Sequence, residues 1–165
     1  MSISHIVATL EQQLKLYEQL LELEVSKKAL IMQNSIVQLN SVTQKEKLLT
    51  AQAESLEQSR ILMTARYFID NGFRNRSGLL SDLIKLVSNA EDKQHLMHLH
   101  ETLTKVLTEL KHVNDLNQQL VKQSLDFINF SIDLMVEDPN EELVYQHPMK
   151  QLSGNRSNRI FDNRA

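Results

Sequence analysis

Residues 96–136 read LMHLHETLTKVLTELKHVNDLNQQLVKQSLDFINFSIDLMV, and the spacing of their apolar side chains decides the fold. Leu96, Leu99, Leu103, Val106, Leu110, Val113, Asn117, Leu120, Ser124, Phe127, Ser131 and Leu134 follow one another at steps of three and four residues, the rhythm that lines side chains along one stripe of an α-helix. Upstream, Asn89, Glu91 and Asp92 supply the capping side chain and negative charge that favour a helix start. Downstream, Pro139 drives Asp138 out of helical geometry. The pattern predicts a helix over 91–137, about 46 residues and roughly 70 Å at ~1.5 Å per residue.

The rest of the chain is read the same way. Its 165 residues contain only three glycines and two prolines, at Gly72, Gly78, Pro139, Pro148 and Gly154, so long helices can run without a breaker. Ile3, Val7, Leu10, Leu14, Tyr17 and Leu21 form a seam for a first helix over about 3–32. Asn34 and Ser35 interrupt it, and Ser35 with Gln38 reads as a capping box. A second seam, Leu39, Val42, Glu46, Leu49, Ala53, Leu56, Arg60, Met63 and Tyr67, leads to a helix over about 36–70 that ends at Gly72. The short turn makes these helices antiparallel neighbours, with Glu24 opposite Lys45 and Lys28 in the same polar zone. After a polar interval with Arg74 and Arg76, Leu79, Leu80, Leu83, Ile84 and Val87 predict a short helix over 78–88 capped by Ser77.

Composition narrows the class of function. A net charge of −3 and pI near 6.1 give no general attraction to phosphate backbones, so no nucleic-acid partner is expected. The absence of cysteine removes disulfides, thiolate metal sites and cysteine nucleophiles, and fits a reducing compartment. No run approaches the ~18 apolar residues of a membrane span, and the amino terminus lacks the basic region of a signal peptide. A cytoplasmic protein without membrane insertion is expected. His95, His98, His100 and His112 fall on the last helix but point in different directions off its seam, so no metal site is assigned. No phosphate loop, dinucleotide fingerprint, nucleophile elbow or zinc-protease motif occurs, so no catalytic residue and no cofactor are assigned.

The fold expected is all-α: an elongated antiparallel helical hairpin, a short helix and a long C-terminal helix in a coiled-coil-like bundle. Residues 1–137 form the helical domain, and 138–165, with two prolines and no helical period, form a flexible tail. On the last helix a second apolar stripe, Val121, Leu125, Ile128, Ile132 and Met135, appears beside the seam. Two adjacent stripes exceed the ~100° face that packing on a hairpin uses, so a partner surface is expected at Leu120, Val121, Leu125, Phe127, Ile128, Ile132 and Met135. An amphipathic helix from a client fits it, as does a second copy of the chain.

Three segments resemble the FlgN-like flagellar export chaperones: Leu20-Leu21-Glu22-Leu23-Glu24 followed by Lys27-Lys28-Ala29-Leu30; Lys45-Glu46-Lys47-Leu48-Leu49 with Leu56-Glu57-Gln58-Ser59-Arg60; and Asn117-Gln118-Gln119-Leu120-Val121. The resemblance implies a cytosolic, non-enzymatic chaperone for the C-terminal helical regions of hook-associated, FlgK-like and FlgL-like proteins. It would prevent their premature assembly and deliver them to the flagellar type III export gate. It further implies that a tyrosine in the tail, here Tyr145, docks on that gate. Where the family commonly carries a glycine next, this chain has Gln146-His147-Pro148. The alternative from the residues alone is a structural coiled-coil or adaptor protein acting as a homodimer; on the chaperone reading, the empty apolar patch favours a homo-oligomer when unliganded.

Overall fold

The computed structural model describes residues 3–73 and 79–136. Four helices make up this part of the chain, α1 Ile3–Met32, α2 Ile36–Asp70, α3 Leu80–Leu86 and α4 Ala90–Val136, and no strand occurs among the described residues. The all-α expectation is met. Contacts divide the chain into Met1–Phe127, which holds the packed helices, and Ile128–Ala165, of which residues 128–136 are described. The expected tail, Ser77 and Glu137 lie outside the described residues. None of the described helices is long and apolar enough to cross a membrane.

Two turns of the same design end α1 and α2. At the first, Asn34 takes a left-handed φ of 54° while Asn34 N–H donates to Ile31 O and Ser35 N–H to Leu30 O. At the second, Gly72 has φ 81°, with Gly72 N–H donating to Ile69 O and Phe73 N–H to Phe68 O. Both follow the crossed pattern of a Schellman motif, which satisfies the last carbonyls of a helix. Phe73 adds the apolar half of the second motif by packing on the cluster that contains Phe68. The expected Ser35 capping box does not form. Ser35 is the residue before α2 but makes no side-chain capping bond, because the turn is closed by backbone groups around Asn34 instead. Asn89, by contrast, caps α4 as expected, its Oδ1 accepting from Glu91 N–H at 2.9 Å and Asp92 N–H at 3.4 Å.

The main core lies where α1 begins and α2 ends. Ile6 and Leu10 of α1, Phe68 of α2, Leu83 of α3, Val87 just after it, and Leu96, Leu99 and Leu103 of α4 form one buried cluster. At seven residues, α3 is far below the length at which a helix persists alone. It is held by inserting Leu83, fully buried, and Val87 between the other helices. Its Cα trace is thus fixed by packing and not by capping, since Leu79 before it makes no side-chain cap.

The apolar seam expected for α1 is in part the packed face, with Leu10 buried and Ile3, Val7, Leu14 and Tyr17 packed against the core, but the buried column lies to one side of it. The inward positions are 6, 10, 13, 17, 20, 24, 27 and 31, and they include the polar residues Gln13, Glu24 and Lys27. On α4 the expected seam packs from Leu96 through Leu120, with Leu96, Leu99, Leu103 and Asn117 buried.

Truncating Leu83 to Ala removes the fully buried anchor of a helix too short to persist alone, and a loss of about 3 kcal/mol is expected in urea unfolding. At the first turn, Asn34→Gly should leave stability equal or higher. Asn34→Val should lower it by about 1–2 kcal/mol, because a β-branched side chain resists positive φ; thermal melts of the two variants check the order.

Candidate functional site

Within Met1–Phe127, α1 lies against both α2 and α4. Gln13 Nε2 donates to Glu57 Oε2 and Lys27 Nζ to Glu46 Oε2, so α2 runs antiparallel to α1. His95 meets Glu11, while Asn114 and Asn117 meet Glu24, so α4 runs parallel to α1. Between α2 and α4, over α1, lies a cleft of ≈ 640 Å³ whose floor includes Leu20 and Glu24, with Ala53 and Glu54 on the α2 side and Leu110 and Lys111 on the α4 side. A second cleft of ≈ 380 Å³ continues from it, from Ile31 and Leu39 to Val121 and Leu125. Asn114 lines both. Together they form one trough, spanning positions 39–58 of α2 and 107–125 of α4, about 27 Å at the helical rise.

A polar storey crosses the trough where the clefts join. Glu24 is 1 % exposed, and its carboxylate accepts from Lys27 Nζ at 2.9 Å, Asn114 Nδ2 at 3.2 Å and Asn117 Nδ2 at 2.7 Å. Asn117 Nδ2 also donates to the Glu24 backbone carbonyl at 2.7 Å. Flipping the amide would set an acceptor against two acceptors, so its orientation is fixed. The consequence is that Asn117 Oδ1, buried on the other side, has no hydrogen-bond partner. Lys27 is shared, its Nζ donating also to Glu46 at 2.8 Å. The cross-hairpin pair is therefore Lys27 with Glu46 and not Glu24 with Lys45 as expected, and Lys28 and Lys45 are exposed.

Two carboxylates with one lysine between them divide the charge unequally. Burial alone would raise the Glu24 carboxyl, but hydrogen bonds from Glu46, Lys27, Asn117 and Asn114 lower it from 4.5 to about 2. Glu46 moves the other way: burial and the adjacent Glu24 carboxylate raise it, against the pull of Lys27. A second storey lies toward the core, where Arg60 donates to Glu57 from Nε at 2.7 Å and from a terminal nitrogen at 2.5 Å, and Gln13 donates to the same carboxylate at 2.9 Å. The Arg60 hydrogen bond, more than burial, sets the direction for Glu57, whose carboxyl is lowered.

The residues read from the sequence as a partner surface fall at the far part of α4. In the first unit Leu120 is half-buried, and Val121, Leu125 and Phe127 are exposed; in the second, Ile128, Ile132 and Met135 are exposed, Met135 at 85 %. Within the first unit, Val121 and Leu125 continue the α4 residues Asn114 and Asn117 that line the trough. Tyr145 lies outside the described residues. The histidines of α4 remain spread: His95 reaches Glu11 at 3.2 Å, and His98, His100 and His112 are exposed. No group of three or more metal-ligating side chains occurs among the described residues. Sequence reading missed the trough itself. The only hint of it was that Glu46 and Asn117 interrupt otherwise apolar seams.

A model of the family described as FlgN protein matches residues 1–152, and the chain belongs to that family. It is also 27 % identical over 165 residues, covering the whole of both chains, to the "Uncharacterized protein YvyG" of Bacillus subtilis (strain 168). No solved structure matches.

The storey has a pH signature. Glu24, with its carboxyl lowered in the fold, adds stability that is complete above 4.5 and is lost as pH falls toward about 2. Glu57 contributes in the same direction, while the raised Glu46 favours the fold at lower pH and loses that advantage as pH rises above 4.5. Urea midpoints measured from pH 5 down to pH 2 should fall more steeply for the unaltered chain than for Glu24→Gln, which cannot titrate. Equal slopes would place the acid sensitivity elsewhere.

Proposed function

We propose that the chain is a cytoplasmic, non-enzymatic flagellar export chaperone. On this reading it binds the C-terminal helical region of hook-associated, FlgK-like and FlgL-like proteins, prevents their premature assembly and delivers them to the type III export gate. The observation that carries the reading is membership of the FlgN family across residues 1–152. The exposed apolar residues of α4 support it physically: Val121, Leu125, Phe127, Ile128, Ile132 and Met135 are each at least 39 % exposed. Together with Leu120 they offer the kind of face an amphipathic client helix covers. A disordered client segment would fold as it binds, so its ordering offsets part of the interaction energy. Tyr145 is proposed as the residue that docks on the gate.

The same exposed face would serve a second copy of the chain, which is the competing reading of a coiled-coil or adaptor homodimer. One experiment separates them. Size-exclusion chromatography with light scattering, on the purified chain with and without a hook-associated protein from the same cell, should give a one-to-one complex. A stable homodimer that ignores the client favours the adaptor instead. Ile128→Asp with Ile132→Asp should reduce client affinity at least tenfold with helicity retained, since each change places a charge in an apolar interface. Tyr145→Ala should leave client affinity intact and weaken gate binding.

A further inference from the structure

From the core, adjoining residues of the three long helices continue into the walls of the trough, where Thr50, Leu107, Val121 and Leu125 are exposed. On α1 the stripe is 6, 10, 13, 17, 20, 24, 27, 31; on α2 it runs back from 68 through 64, 60, 57, 53, 50 and 46 to 39; on α4 it runs 96, 99, 103, 107, 110, 114, 117, 121, 125. At the core end these stripes close around Leu83 and Val87, so α3 acts there as a fourth helix about two turns long. Beyond α3 the same stripes line the open clefts. The vacant length, about 27 Å, corresponds to a helix of roughly 18 residues at 1.5 Å per residue.

The lining also states what such a helix must carry. Leu20, Ala53, Leu107 and Leu110 require an apolar stripe. At the storey between the clefts, Glu24 and Glu46 have a single lysine to share, and Asn117 Oδ1 is a buried acceptor without a donor. About two turns further along α2, ~12 Å away, Glu54 is exposed and adds a third carboxylate to the larger cleft. Glu57 is already matched by Arg60. Lys111, the one cation of the larger cleft, stands on the opposite, α4 side. A donor-rich cationic side chain entering at this level would supply the second positive charge and a hydrogen bond, both in a partly dry setting where such contacts are strong.

We propose that the trough between α2 and α4 receives an amphipathic helix of a client protein, of about five turns, whose apolar stripe is interrupted near its centre by one arginine or lysine that pairs with Glu46. The inference rests on the chaperone reading and extends it: the client contacts more than the exposed end of α4. α3 occupies the fourth-helix position permanently, and the client completes it.

The test uses the full-length chain and, as the probe, the C-terminal helical segment of a hook-associated protein from the same cell. Binding is followed by calorimetry. Thr50→Trp fills the trough from a position that is exposed, so folding should survive; circular dichroism checks this. Affinity is expected to fall more than tenfold. Glu46→Gln, nearly isosteric, should weaken binding about tenfold, as loss of a charge-assisted hydrogen bond does. That loss should vanish when the probe's central basic residue is replaced by norleucine. If Thr50→Trp folds and binds the probe as the unaltered chain does, the trough proposal is overturned while the chaperone reading stands. If Thr50→Trp leaves client affinity unchanged but splits a homodimer seen by light scattering, the occupant is a second copy and the proposal is likewise overturned. If the unaltered chain does not bind the probe at all, both readings fall together.

Discussion

The carboxylate of Glu24, buried where α1, α2 and α4 come together, is the interaction on which the arrangement depends. An ionised carboxylate removed from water is tolerable only when its oxygens are occupied by donors. Here the donors come from three directions, Lys27 on its own helix and Asn114 and Asn117 on α4, while Lys27 carries the link on to Glu46 of α2. Satisfying one charge therefore fixes the register of both neighbours against α1. A shift of either helix by one residue would strand the carboxylate, whereas an aliphatic residue at position 24 would accept several registers with little penalty. Apolar packing supplies most of the stability, and the polar storey decides which alignment that stability serves.

That division of labour follows the length of the bundle. Near the start of α1 the core is wholly apolar and four helices contribute to it, α3 included. Past Arg60 and Glu57 only three helices remain in the described structure, and three cylinders leave a channel that no rotamer choice fills. Apolar walls alone would collapse or recruit other surfaces. The polar side chains there are instead Gln13, Glu57, Arg60, Glu24, Lys27 and Asn117, and their hydrogen bonds tie α2 and α4 each to α1.

Much of this was legible from residue spacing. The three-four rhythm of α4 gave the correct inward face from Leu96 to Leu120, Gly72 marked the end of α2, and Asn89 marked the start of α4. The α1 seam was right at Ile3, Val7, Leu10, Leu14 and Tyr17, which lie in or against the core, but a reading that follows apolar side chains missed the buried column through Gln13, Leu20 and Glu24. The same bias explains the misplaced ion pair, since Lys27 belongs to the column and Lys28 does not. Ser35 has the composition of a capping box, but Asn34 tolerates the left-handed conformation and closes the turn with backbone hydrogen bonds. At the site, the stripe from Val121 to Met135 could be read because its residues are apolar and in excess of what a hairpin covers. The trough could not be, because a vacant helix position leaves no residues of its own in the sequence and its walls look like an ordinary solvated surface.

A protein that holds a helical segment for another molecule has to remain folded while the segment is absent, and the placement of polar groups meets that requirement. If the trough were lined only by leucines, the empty state would expose an apolar channel about as long as the client helix it would receive, and self-association would compete with every client. With Glu24 and Glu46 sharing one lysine, the channel instead contains a local excess of negative charge that a second copy must match with a cation at the same level. Under the proposed client binding, this would disfavour apolar self-association while Leu20, Ala53, Leu107 and Leu110 remain available to a helix that brings the matching charge. Specificity of this kind comes from a penalty on unmatched occupants. It explains why charged residues persist at positions where the helical period alone would place leucine.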